Sequence, residues 1–117
     1  MNIYENMVIL NAALSDEEAE AAVGKIKDLI VNQGGEILKV DTWGRRKLSY
    51  EIKKQRKGIY ILFFYKTPAA TIKKLEEFYK VFDAVLKYMV IKLGKKQIQT
   101  LEASEVASGA AETKSES

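Results

Sequence analysis

From Ile3 to Leu10, six of eight positions are apolar or aromatic, and the run predicts a strand. Asn11 to Leu14 is the connection, and Ser15-Asp16-Glu17-Glu18 then has the form of a capping box. A Ser hydroxyl there can accept from the third helical amide while Glu18 reaches back to the Ser amide. Ala19, Ala22, Val23, Ile26, Leu29 and Ile30 follow in steps of three and four, the stripe of one helix face. Gly34-Gly35 ends that helix, since an achiral residue takes the left-handed turn at little cost.

Ile37 to Trp43 predicts a second strand, Gly44 a bulge or bend, and the extended pattern then runs on to Ile52. Lys53 to Gly58 reads as the hairpin tip and Ile59 to Lys66 as a third, very apolar strand. Thr67 is the expected cap of a second helix, with Pro68 in its first turn, where a missing N–H costs nothing. Ile72, Leu75, Phe78, Tyr79 and Phe82 form its buried stripe, and Val85 to Leu93 is the last strand. This βαββαβ order implies an α+β, ferredoxin-like sandwich: a four-stranded antiparallel sheet with both helices on one face.

Two helices cover only one side of such a sheet, so the other side should be polar. It is not. In the third strand Ile59, Ile61, Phe63 and Tyr65 form one row, and Tyr60, Leu62 and Phe64 the other. Glu5, Lys66 and Lys87 mark the solvent side, which leaves Met7, Ile9, Tyr60, Leu62, Phe64, Met89 and Ile91 without helical cover. Contiguous apolar surface of that kind points first to another protein chain. Base stacking on the aromatics, or a sheet more hydrophobic than it needs to be, are the alternatives.

With 117 residues and 47% hydrophobic content the chain suits one domain with a sizeable core. Residues 1–93 form the expected domain, and 94–117, rich in Ala, Ser, Glu and Lys with no aromatic, a mobile, disordered tail. No apolar run approaches the roughly 20 residues that span a bilayer, and the acidic helix start after Leu14 speaks against a signal peptide. The chain contains neither Cys nor His. That removes Cys nucleophiles, Ser-His triads and zinc sites together, and it fits a reducing cytoplasm. Asp16, Glu17 and Glu18 are explained by the helix dipole rather than by a metal. No cofactor, metal or catalytic residue is expected.

Charge sharpens the picture. Arg45 to Lys57 carries seven Lys/Arg against the single acid Glu51, a local +6 in a chain of net +3, so the remainder is −3. Leu48, Tyr50 and Ile52 recur every second residue within it, as in a strand with one face in a core. A basic ribbon on a sheet suits phosphates, RNA or DNA; a solvated, charge-protected edge is the plain alternative.

Other functions of this topology lack their residues. Lys57 to Phe64 lies near the RNP1 consensus of RRM domains, but Ile59 and Ile61 stand where that motif stacks bases on aromatics. Asn11 to Leu14 has no phosphate-gripping Arg of the acylphosphatase kind, copper chaperones need paired Cys, and nucleoside diphosphate kinases need His.

Val40-Asp41-Thr42-Trp43-Gly44-Arg45-Arg46-Lys47-Leu48-Ser49-Tyr50-Glu51-Ile52-Lys53-Lys54, followed by Gly58-Ile59-Tyr60, resembles the signature of the bacterial small-subunit ribosomal protein six family. Tyr4-Glu5, Gly34-Gly35 and Val85 to Lys92 extend the resemblance over residues 1 to about 93. Glu51 departs from it, since many members carry Pro there. The resemblance implies a non-catalytic, cytoplasmic, ribosome-bound component that binds the central domain of small-subunit rRNA together with small-subunit ribosomal protein eighteen. It carries RNA contact to Asn2, Tyr4, Lys87 and Lys92, with Arg45, Arg46 and Lys47 serving either RNA or the protein partner. The rival reading is a free-standing regulatory or ligand-binding domain that dimerises through its open sheet face.

Overall fold

The computed structural model describes residues 1–94; the tail expected over 94–117 lies outside them apart from Gly94. The elements are β1 (Asn2–Asn11), α1 (Asp16–Asn32), β2 (Glu36–Ile52), β3 (Gln55–Thr67), α2 (Ala69–Val81) and β4 (Val85–Lys92). The strands pair antiparallel in the order β2-β3-β1-β4, the expected ferredoxin-like sheet. No described helix is long and apolar enough to cross a membrane.

Strand alternation sets which residues enter the core. Tyr4, Val8 and Leu10 of β1 and Ile59, Ile61, Phe63 and Tyr65 of β3 face Ala22, Ile26 and Ile30 of α1 and Leu75 and Tyr79 of α2. Asn6 shares that inward row and is fully buried. The hydroxyls of Tyr65 and Tyr79 donate to its Oδ1 at 3.1 and 2.6 Å, and its Nδ2 donates to the Met89 carbonyl at 2.9 Å. Burial pushes both phenols above their ordinary pKa, since a phenolate there would lack water.

The ends of α1 follow their local sequence. The Ser15 hydroxyl accepts from the Glu18 amide at 3.1 Å, and the Ser15 amide donates to Glu18 Oε1 at 2.9 Å. Hydrogen bonding to the Glu18 carboxyl from the Ser15 backbone amide first, and from the Ser15 side chain second, holds it below its usual pKa. At the other end Gly34 takes φ +84°, and the Gly34 and Gly35 amides donate to Val31 and Ile30 in a Schellman turn.

Several boundaries differ from expectation; β1 extends by one residue at each end and β2 by one at its start, and three others matter more. The hairpin tip is only Lys53-Lys54, with φ +47° and +65°, because Ile52 already pairs with Gln55. Such a primed two-residue turn matches the twist of the strands it joins, but behind it the ladder is irregular, its register shifting between Lys47 and Ile52. Thr67 does not cap α2; it pairs with Asn2 as the last residue of β3, and its buried hydroxyl donates to Thr71 Oγ1 at 2.8 Å. Pro68 is the capping residue instead, with no side-chain cap bond. β4 ends at Lys92 rather than Leu93. Of the bulge or bend expected at Gly44, the structure has the bulge: β2 slips register between Thr42 and Gly44, and Gly44 holds φ +82°.

Candidate functional site

The face of the sheet without helices is built from cross-strand rows. Asp41, Leu62, Met7 and Met89 make one row, and Lys39, Phe64, Glu5 and Ile91 the next. A third joins Gly44, Tyr60, Ile9 and Lys87. The seven residues expected to lack helical cover do share this face, but two are already buried: Ile9 and Leu62 are each only 8% exposed. Met7, Tyr60 and Phe64 are half-buried, whereas Met89 and Ile91 stand 52% and 46% exposed.

The cover over Ile9 comes from the hairpin itself. The far half of β2 bends over this face, so that Leu48 closes a second small core with Ile9 and Leu86, flanked by Ile52 and Tyr60. A Cβ on Gly58 would lie 2.4 Å from Ile9 Cγ2 and 3.3 Å from a Leu48 methyl, so only glycine fits beneath that contact. Lys53 Nζ donates to the Val85 carbonyl at 3.3 Å and Lys87 Nζ to the Tyr50 hydroxyl at 2.6 Å, tying the hairpin to the start of β4. Of the alternating Leu48, Tyr50 and Ile52, Leu48 and Ile52 thus serve a core, a separate one on the helix-free side, while Tyr50 stands 60% exposed and holds Lys87.

Alternation then divides the basic residues. Arg45 pairs with Ile59 on the helix side, where its guanidinium donates to the Ala12 and Leu14 carbonyls at 3.2 and 2.6 Å. It also makes a 3.0 Å ion pair with Asp16, fixing the β1–α1 loop against β2. Arg46 points the other way, its guanidinium carbon 5.4 Å from the centre of the Trp43 ring. Trp43 is 42% exposed and lies 8° from parallel to Tyr60 with ring centres 6.5 Å apart. Arg46, Trp43 and Tyr60 form one column beside the apolar rows. Lys47 sits directly opposite Lys57, a like-charge pair that a strand ladder disfavours by itself.

Asn2, Tyr4, Lys87 and Lys92 do not form one surface. Asn2 Nδ2 donates to the Tyr4 hydroxyl at 3.2 Å, and Tyr4 pairs with Lys92, so these three gather at one end of the sheet. Tyr4 is itself buried, its ring 5.9 Å from Tyr65. Lys87 pairs with Ile9 five residues along β4 from Lys92, on the opposite face and ~17 Å away at ~3.3 Å per residue. It belongs with the hairpin. Odd against even numbering in β4 carried that signal.

A concavity of about 740 Å³ lies between α1 and β2, floored by Val23, Val40, Ile59 and Ile61 with the Arg45–Asp16 pair at its rim. Among the described residues no group of three or more Asp or Glu is placed to hold a metal ion. What the site offers is apolar area flanked by cations.

A sequence profile described as Ribosomal protein S6 matches residues 3–92. The small ribosomal subunit protein bS6 of Clostridium acetobutylicum is 41% identical over 95 residues, covering 81% of this chain and all of that one. The bS6 protein of Christiangramia forsetii is 39% identical over 102 residues, covering 87% of this chain and 91% of that one. The crystal structure of 30S ribosomal protein S6 from Thermotoga maritima superposes with a TM-score of 0.79 at 30% identity, over 88% of this chain and 97% of that one. Taken with the ferredoxin-like sheet, these matches establish that the chain belongs to the ribosomal protein S6 family, structural and non-enzymatic proteins of the bacterial small ribosomal subunit.

Proposed function

We propose that residues 1–93 bind the central domain of small-subunit rRNA together with small-subunit ribosomal protein eighteen, and so hold the chain on the ribosome. The observation that carries this reading is the adjacency of two unlike surfaces on one side of the sheet. Met89, Ile91 and the Trp43 column offer an anchor for a protein, since Trp, Tyr and Arg dominate interface energetics. Arg46, Lys87 and the hairpin lysines flank that anchor with positive charge for RNA phosphates. Asn2, Tyr4 and Lys92 form a second, smaller contact at the far end. Arg45 contributes indirectly, by fixing the loop before α1.

The test is binding to a central-domain rRNA fragment, with protein eighteen present, at several salt concentrations. Four to six phosphate contacts give a slope of log affinity against log salt of about −3 to −5, at roughly 0.7–0.9 per contact. A flat dependence refutes the phosphate role. Sedimentation of the chain alone checks the rival reading: a stable dimer burying Met89 and Ile91 would mean that a second copy, not a ribosomal partner, takes the open face.

A further inference from the structure

We propose that Lys53, Lys80 and Lys87 form a seat for a phosphodiester of an RNA backbone, a contact resting on the assembly reading above but assigned to a new place. The three come from the hairpin tip, the last turn of α2 and the start of β4, and they line one concavity of about 340 Å³. Val85, Leu86 and Tyr88 supply its wall, and no carboxylate lines it. None of the three lysines makes an ion pair among the described residues. Lys53 uses one donor on the Val85 carbonyl and Lys87 one on the Tyr50 hydroxyl, and an ammonium has three, so donors remain.

Three lysines lining one hollow bring like charge to it, and an apolar wall focuses their field rather than dissipating it. An anion offsets that charge. Lysine, a compact charge with rotatable donors, suits a single phosphate oxygen cluster more than a planar carboxylate. The extension from Lys53 into Lys54, Arg56 and Lys57 makes the hollow one stop on a basic track, which fits a polyanion rather than an isolated small anion.

The full chain carries the test. Lys53→Gln and Lys80→Gln, singly and together, are compared with Lys73→Gln, an exposed lysine of α2 outside the hollow. Binding to central-domain rRNA with protein eighteen is measured across salt concentrations. Each substitution in the hollow should flatten the salt slope by about 0.7–0.9, and the pair by about twice that, while Lys73→Gln leaves it unchanged. Lys53→Arg keeps the charge and should keep the slope; a loss there would assign the effect to the Val85 tether and overturn the seat. An unchanged slope in the double variant, with wild-type binding intact, overturns the seat and leaves the assembly reading standing. Absence of wild-type binding sinks the assembly reading instead, and amide shifts then read the hollow directly. Shifts at Lys53, Lys80 and Lys87 on adding a short RNA duplex uphold the seat. Shifts with inorganic phosphate alone, or with neither, overturn it.

Discussion

Arg45 and Arg46 are neighbours with opposite assignments, and charge reversal separates them. Arg45→Glu removes two bonds to carbonyls and the ion pair with Asp16, all made by a side chain 44% exposed. Hydrogen bonds from a charged donor contribute about 1.5–3 kcal/mol when buried, and exposed ion pairs about 0.2–1 kcal/mol. Near-half exposure places the carbonyl bonds well below that range, at roughly 0.5 kcal/mol each, and the ion pair adds a similar amount. Repulsion between the new carboxylate and Asp16 brings the total to about 2 kcal/mol. Arg46→Glu loses a long 3.4 Å bond to the Trp43 carbonyl and an exposed ring contact, together about 0.5 kcal/mol. Urea unfolding followed by far-UV circular dichroism should therefore place Arg45→Glu below Arg46→Glu by about 1.5 kcal/mol, or ~6–12 °C in thermal midpoint at 4–8 °C per kcal/mol. In rRNA assembly the order reverses once both variants are held folded at low temperature. Equal unfolding midpoints for the two would refute the assignment of Arg45 to the loop before α1.

Asn6→Leu strands two buried tyrosine hydroxyls and should cost about 3–5 kcal/mol in urea unfolding, against about 1 kcal/mol for Tyr65→Phe, where Asn6 keeps Tyr79. Tyr65 and Tyr79 keep their protons when folded, so stability is full below pH 10 and declines as pH rises further. Absorbance at the tyrosinate band should accordingly show Tyr65 and Tyr79 ionising only as unfolding releases them; ionisation of either in the folded state would contradict their burial. Gly58→Ala should cost about 1–3 kcal/mol, with amide shifts at Ile9 and Leu48 as the second core gives way. Lys54→Gly, at φ +65°, should stabilise by about 0.5–1 kcal/mol in the same unfolding assay, and a loss of stability would contradict the left-handed turn.

Chain pattern alone determined the element order, the antiparallel sandwich, the cap at Ser15, the Gly34-Gly35 stop and an irregularity at Gly44. Each follows from the period of a single element or from a few adjacent residues, which act without long-range contacts. It also separated the two faces of β1, β3 and β4, because strand alternation is strictly local. The division of the basic ribbon waited on the fold. Arg45 reaches the loop about 30 positions earlier, and nothing near it in sequence shows that Ala12, Leu14 and Asp16 will be there. The same holds for Asn6, whose partners Tyr65 and Tyr79 lie 59 and 73 residues away. The bending of β2 that buries Ile9 beneath Leu48 is likewise a tertiary event, set by the twist of a long hairpin past the end of β1. Which apolar residues stay exposed, and which lysines gather at the start of β4, are consequences of that bend. A sequence records which side of its strand a residue occupies; only the packed sheet decides what stands opposite.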